Sequence, residues 1–112
     1  MHMIEVVIRA SALDGIKKKL AEFGIFGCTA IECKGFGKQK GHTERYRGGR
    51  MDVGFIPKVM LKIAVRSEDY QKTVDAIVNT ARTGKVGDGK IFVYKLDNVV
   101  RVRTGEKDND AL

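Results

Sequence analysis

The order in which two hydrophobic periods follow one another constrains the fold of this chain more than any other feature. Residues 3–9 alternate apolar and polar side chains, as expected of a half-buried strand. Apolar residues then recur at helical spacing between Ser11, a candidate N-cap, and Gly24, a candidate helix stop. Residues 29–34 are again β-prone. The first part of the chain therefore predicts a strand, a helix and a second strand.

The second part of the chain repeats this order. Residues 59–65 alternate as a strand, and Ser67 is the candidate N-cap of a helix whose apolar stripe lies within residues 70–81. Residues 91–96 and 99–102 supply further strand material. Right-handed crossover rules fold a β-α-β-β-α-β order into a four-stranded antiparallel sheet with both helices on one face. We predict this α+β, ferredoxin-like architecture in one domain over residues 1–112.

The predicted strand at residues 91–96 is apolar on both of its faces, with Phe92 and Tyr94 on the side opposite Ile91 and Val93. Two helices can cover only one face of a single sheet. The simplest cover for the other face is the same face of another copy, so we predict an obligate homo-oligomer.

Residues 35–54 are rich in glycine, lysine and arginine and show almost no aliphatic periodicity. A loop of this length within a compact domain is uncommon unless it has a function, although a disordered insertion is the alternative. The formal net charge of +7 favours anionic partners, which could be nucleic acid, an anionic membrane or a phosphate-bearing small molecule.

A second glycine-rich stretch suggests where an anion would bind. Residues 84–90 have the spacing of a phosphate-binding P-loop up to Lys90, but Ile91 replaces the hydroxyl residue that would hold magnesium. The stretch also runs from helix to strand, the reverse of a P-loop, so we reject NTPase chemistry. Glycine N–H groups with Lys90, Arg101 and Arg103 could still bind phosphate; a plain turn beside a basic strand is the alternative.

The other polar residues exclude several kinds of site. Cys28 and Cys33 indicate reduced thiols rather than a redox pair or a metal site, and His2 and His42 add no ligand spacing. No apolar run of the sequence approaches the ~20 residues that span a bilayer. We therefore expect a cytoplasmic protein.

Residues 83–93, TGKVGDGKIFV, resemble the C-terminal signature of the PII signal-transduction family, the nitrogen regulatory proteins P-II. Residues 34–44 together with 46–48 resemble the flexible T-loop of that family, and residues 101–106 match its tail. The resemblance runs from about Met3 to the C-terminus. It implies a homotrimer, a T-loop at about residues 36–55 and a flexible acidic tail at about residues 106–112.

The resemblance also implies that ATP and ADP compete for clefts between neighbouring subunits. It implies that Gln39 helps to hold Mg²⁺ with ATP, and that Lys58 pairs with a carboxylate of 2-oxoglutarate bound to that metal. The nucleotide-binding residues that it implies are Thr29, Gly37, Lys38, Ala64, Gly87, Asp88, Gly89, Lys90, Arg101 and Arg103.

Family members act by docking onto other proteins, so the resemblance implies a regulator and not an enzyme. Arg47 resembles the residue that plugs an ammonium-transporter pore, which would bring the protein to a membrane only through its partner. No nucleic-acid partner is expected. The residues implied in partner binding are Tyr46, Arg47, Gly48, Arg50 and Met51.

Several positions depart from the family pattern, including Arg50, Asp52 and Gly54 at the loop tip. Met51 stands where uridylylated or adenylylated members carry tyrosine, and Gly49 stands where others carry a phosphorylated serine. Lys62 replaces a usually acidic residue near the nucleotide, so ATP and ADP preference is open. Either this is a nitrogen sensor without covalent modification, or it is a divergent paralogue that senses another metabolite for a different transporter or enzyme.

Two other classes of function are compatible with the fold. An RRM would stack RNA bases on Phe92 and Tyr94, but the neighbouring strands offer aliphatic residues and no aromatic RNP1 motif. An acylphosphatase-like enzyme would pair an arginine with an asparagine, but neither Asn79 nor Asn98 lies beside the glycine-rich stretch. We favour the P-II interpretation over both.

Overall fold

A computed structural model describes residues 1–37 and 54–112. Short 3-10 turns precede both helices and end the chain at Asp108–Ala111. The strands and helices, numbered in chain order, are β1 His2–Ile8, α1 Leu13–Glu22, β2 Thr29–Phe36, β3 Phe55–Val65, α2 Tyr70–Ala81 and β4 Gly89–Lys95.

The four strands form one antiparallel sheet in the order β2-β3-β1-β4. The central strand β1 pairs on both sides, so that Ile4 lies opposite Ile63 of β3 and Val93 of β4. This arrangement confirms the predicted ferredoxin-like fold.

The hydrophobic core lies between the sheet and the two helices. Ile4, Ile8 and Ile63 face it from the sheet, and Ile16 and Ile77 face it from α1 and α2; each is at most 2% exposed. All five positions belong to the period-two or helical patterns of the sequence, so periodicity correctly predicts which side of each element is buried.

Both predicted helix caps are wrong. Ser11 lies inside the 3-10 turn that precedes α1, and the N-cap of that helix is Ala12, whose side chain makes no capping hydrogen bond. Ser67 likewise begins a 3-10 turn, and its hydroxyl accepts a hydrogen bond of 2.8 Å from the Met1 ammonium group. Backbone hydrogen bonds of the 3-10 turns satisfy donors that a cap would serve. Gly24 ends the first helix as predicted, with φ of +77°.

The strand predicted at residues 99–102 is also wrong, because the chain reverses there. Val100 makes only an isolated bridge to Lys107, and the Arg101 amide donates to the Glu106 carbonyl over 2.9 Å. The backbone groups are thus bonded within a local turn instead of to the sheet. Within the expected acidic tail, residues 108–111 form a 3-10 turn, and the Asn109 carbonyl lies 3.5 Å from the Arg66 guanidinium. The flexibility of the tail stays a prediction.

The strands β2 and β3 are longer than predicted and extend to the bounds of the predicted T-loop. Phe36 and Phe55 are paired strand ends whose ring centroids lie 5.5 Å apart. The rest of that loop, residues 38–53, lies outside the described residues.

The face of the sheet opposite the helices, here called the open face, is not covered by any of the described residues 1–37 and 54–112. Phe92 and Tyr94 of β4 and Ile31 of β2 are each more than 40% exposed on it. Exposed apolar surface of this kind marks an interaction site. Among the helices of residues 1–37 and 54–112, none is long and apolar enough to cross a membrane.

We predict that Gly89→Ala destabilises the fold by about 2 to 4 kcal/mol, because Gly89 has φ of +118° and an added Cβ would lie 2.0 Å from the Val7 carbonyl oxygen. Urea unfolding measures the change. Gly27→Ala is the matched control, since a Cβ there meets nothing within 4 Å. Equal unfolding free energies for the two variants would contradict the close approach of β4 to β1.

Candidate functional site

The glycine-rich stretch forms a loop between α2 and β4, and Asp88 organises it. The Asp88 carboxylate accepts hydrogen bonds from the backbone amides of Thr83 at 2.7 Å and Gly84 at 2.9 Å. Gly84 has φ of +88°. Because the loop runs from helix to strand, the sequence-based reason for rejecting a P-loop holds.

Arg9 clamps the same loop from the end of β1. Its Nη1 donates to Asp88 Oδ1 over 2.7 Å, and its Nη2 donates to the Val86 carbonyl over 2.8 Å. The sequence pattern did not predict a role for Arg9, because there Arg9 was only one of the polar residues that alternate along the first strand. The antiparallel pairing of β1 with β4 was the available signal, because it places the end of β1 beside the start of β4.

These hydrogen bonds lower the pKa of Asp88 far below its ordinary value. The Thr83 hydroxyl and amide contribute most, followed by the Gly84 amide and Arg9. Hydrogen bonds to the charged form of a carboxyl favour ionisation. Asp88 is therefore a fixed anion that shapes the loop, and its predicted contact with a nucleotide stays a prediction.

Lys58 approaches the loop from β3. The residue is only 7% exposed, and its Nζ donates to the Gly87 carbonyl over 2.8 Å. Burial lowers the pKa of Lys58, and the nearby positive charge of Arg9 lowers it further. The side chain thus presents an ammonium group beside the loop, in position to meet an anion.

A cleft of about 350 Å³ opens between this loop and the ends of the strands β2 and β4. Val7 and Phe92 contribute apolar walls, whereas the side next to the loop is lined by glycine backbone and by the Lys90 side chain. Convergent polar groups in a mainly apolar cleft are typical of small-molecule sites. The cleft brings together the predicted site residues Gly37, Lys58, Gly87, Gly89 and Lys90.

Four of the other predicted nucleotide residues line no part of this cleft. Ala64 pairs with Met3 of β1, whereas Gly89 pairs with Ile8, five positions away on the same strand. At a rise of about 3.3 Å per residue, the Ala64–Met3 pair and the Gly89–Ile8 pair are about 17 Å apart along the sheet. Thr29 lies near the Ala64 end of the sheet, opposite Lys62.

Arg101 and Arg103 belong to the turn that follows the far end of β4. Like Thr29 and Ala64, they line no part of the cleft beside the glycine-rich loop. Within the described residues of one chain, the predicted nucleotide residues therefore do not all line one cleft.

Comparison with known proteins identifies the family. The family profile described as "Nitrogen regulatory protein P-II" matches residues 1–106. The chain belongs to the P-II family. The nitrogen regulatory protein P-II of Pasteurella multocida is 49% identical over 112 residues, and the nitrogen regulatory protein P-II 1 of Escherichia coli K12 is 50% identical; each alignment covers the whole of both chains. These relatives are named as regulators, in agreement with the prediction that the chain is not an enzyme.

Lys62, at the position where the family resemblance implies an acidic residue, forms an ion pair with Glu5 on the open face. Its Nζ lies 3.4 Å from Glu5 Oε2, and the Tyr94 hydroxyl donates to the same oxygen over 2.6 Å. The Tyr94 hydrogen bond lowers the pKa of Glu5 most, and Glu5 in turn raises the pKa of Tyr94. Lys62 therefore balances the charge of Glu5 on a face that is otherwise largely apolar.

Seven of the predicted site residues belong to the T-loop of this P-II chain and lie outside the described residues. Within residues 1–37 and 54–112, no group of three His, Cys, Asp or Glu side chains could hold a metal ion, and Cys28 and Cys33 are free thiols. The predicted residues outside the description are Lys38, Gln39, Tyr46, Arg47, Gly48, Arg50 and Met51.

We predict that Asp88 makes the stability of this P-II chain fall in acid. Because its folded pKa is depressed, its contribution is complete above its ordinary value of 3.8 and is lost as pH falls below it. Urea unfolding of the wild type and Asp88→Asn, from about pH 6 to about pH 2.5, should show a stability gap that narrows on acidification.

The exposed Asp97→Asn serves as the control for loss of one carboxylate. A gap between wild type and Asp88→Asn that stays constant across the acidic range would show that the ionised carboxylate does not hold the loop.

Proposed function

We propose that this P-II chain is a cytoplasmic signal-transduction regulator, a homotrimer that binds ATP or ADP in clefts between its subunits. The observation that supports this proposal most is the division of the predicted ligand set. Gly87, Gly89 and Lys90 line one cleft, whereas Arg101 and Arg103 line no part of it. They belong to the C-terminal turn, whose base is bonded to Met1 and Arg66 at the other end of the sheet. A second copy, bringing its far end to the cleft of the first, would complete the set.

The open face supplies a reason for the copies to associate. Burying apolar surface contributes roughly 25 cal/mol per Å², so the partly exposed Ile31, Phe92 and Tyr94 favour self-association. The Glu5 and Lys62 side chains on that face are paired with each other, which reduces the cost of burying them.

In this proposal the two ends of the sheet recognise different parts of the nucleotide. Backbone N–H groups of the glycine-rich loop, together with Lys90, hold phosphate oxygens, and Gly37 and Lys38 close from the base of the T-loop. Arg101 and Arg103 of a neighbouring copy add guanidinium groups to the phosphates. The adenine would meet Thr29 and Ala64 of that same copy.

Binding of a second ligand would act through Lys58. Its ammonium group donates to the Gly87 carbonyl in this structure, so a carboxylate of 2-oxoglutarate would compete with the loop for the same donor. The metal in this scheme is Mg²⁺ carried by ATP, with Gln39 as a protein ligand. Bound Mg²⁺ would supply the charge that holds the 2-oxoacid.

Ligand states that organise the loop base differently would change which T-loop conformations are populated, and a partner would select among them. The partner proposed is an ammonium transporter or another target protein, contacted through Tyr46, Arg47, Gly48, Arg50 and Met51. Because Met51 and Gly49 lack the modifiable side chains of other members, control would rest on ligands alone.

A second candidate is a divergent paralogue that senses another metabolite for a different transporter or enzyme. The observation in its favour is that Lys62 is paired with Glu5 beside the predicted adenine end of the sheet. Titration with 2-oxoglutarate in the presence of Mg-ATP separates the two candidates, since only the nitrogen sensor should respond.

We predict that Lys90→Gln weakens ATP binding about tenfold or more, because a charge-assisted hydrogen bond is worth about 1.5 to 3 kcal/mol. Isothermal titration calorimetry of the full chain measures the dissociation constant. Lys17→Gln, on the exposed side of α1, removes the same charge at a distance from the cleft and should leave ATP affinity within about twofold. Equal losses in the two variants would mean that Lys90 acts only through net charge.

We also predict that Phe92→Glu dissociates the assembly, because it places a charge on the open face that copies would bury. Sedimentation velocity should give a trimer for the wild type and a monomer for this variant. Ala21→Glu, on the exposed surface of α1, adds the same charge and should remain trimeric. A monomeric wild type would overturn the proposed assembly.

A further inference from the structure

The turn that carries Arg101 also carries a carboxylate that faces it. The Arg101 amide donates to the Glu106 carbonyl over 2.9 Å, and the Gly105 amide donates to the Arg101 carbonyl over 2.7 Å. Gly105 has φ of +74°, a conformation that closes the reversal. The backbone therefore holds Arg101 and Glu106 opposite one another whatever their side chains do.

The two side chains form an ion pair across this turn, between Arg101 Nη1 and Glu106 Oε1. The Thr104 hydroxyl donates to the same carboxylate oxygen over 2.8 Å, which keeps the carboxylate turned toward the guanidinium. The side chains are 35% and 45% exposed, so solvent and ligands can reach the pair.

We infer that Glu106 is a built-in competitor for the phosphate of the ligand at Arg101, and that it lowers the affinity of the site. A carboxylate and a phosphate bind the same donors of a guanidinium fork, so a phosphate that takes the full fork must displace Glu106. The inference rests on the proposed function, because it takes Arg101 as a phosphate-binding residue.

The exposure of the pair sets the size of the effect. Partly exposed ion pairs contribute little, at most about a fivefold factor in an equilibrium constant. A polyphosphate held at the same time by loop amides and Lys90 can therefore displace Glu106. Its affinity for the site is then lower by at most that fivefold factor. Glu106 would thus set the concentration range over which the regulator responds.

The test compares Glu106→Gln with the wild type by calorimetric titration of ATP, ADP and adenosine. Glutamine keeps an oxygen to accept the Thr104 hydrogen bond, and the backbone bonds of the turn are unaffected. We expect ATP and ADP to bind about two- to fivefold more tightly and adenosine affinity to be unchanged. Asp110→Asn, an exposed carboxylate on the same segment, is the control for loss of one negative charge.

A second comparison places the effect at Arg101. In an Arg101→Gln background, Glu106→Gln should no longer strengthen ATP binding, since the competition has been removed. A gain that persists in that background would overturn the inference, because it would reflect only the field of the removed charge. A weaker ATP affinity in Glu106→Gln would also overturn it and would make Glu106 a residue that positions Arg101.

The inference and the proposed function can fail separately. If the wild type binds ATP but Glu106→Gln behaves like Asp110→Asn, the competition is refuted and the nucleotide site stands. If the wild type binds neither ATP nor ADP, the proposed function is wrong and the inference falls with it.

Discussion

The pairing of β1 with a neighbour on each side is the constraint from which the rest of this structure follows. Residue alternation along β1 directs Ile4 and Ile8 toward the helices and Glu5 toward the open face. The same register sets Ile8 beside Gly89 and Met3 beside Ala64. One strand thereby fixes the core, the uncovered face and the two ends at which predicted ligand residues gather.

Electrostatics then shape the end of the sheet that carries the cleft. Asp88 is held ionised by amide, hydroxyl and guanidinium donors, so the loop carries its own counter-charge for Arg9. The Lys58 ammonium group is satisfied by a carbonyl instead of a carboxylate. Because a carbonyl is the weaker partner, Lys58 remains the cation that an incoming carboxylate can capture.

Periodicity predicted the strands, the helices and the buried faces because burial dominates those choices, and a family signature pointed to the glycine-rich loop. Local chemistry was harder to predict. The caps at Ser11 and Ser67 failed because 3-10 turns satisfied the helix donors, and residues 99–102 failed because a turn used their backbone groups. Arg9 escaped notice because its role depends on a partner 79 positions away, which only the sheet topology brings close.

In the proposed assembly each phosphate site needs two copies of the chain, and mixed assemblies test this requirement most directly. Lys90→Gln and the double variant Arg101→Gln/Arg103→Gln should each bind ATP poorly alone. After denaturation and refolding as an equal mixture, about one quarter of the clefts should combine an intact loop with intact arginines and regain wild-type affinity. A mixture that binds no better than its components would contradict the account.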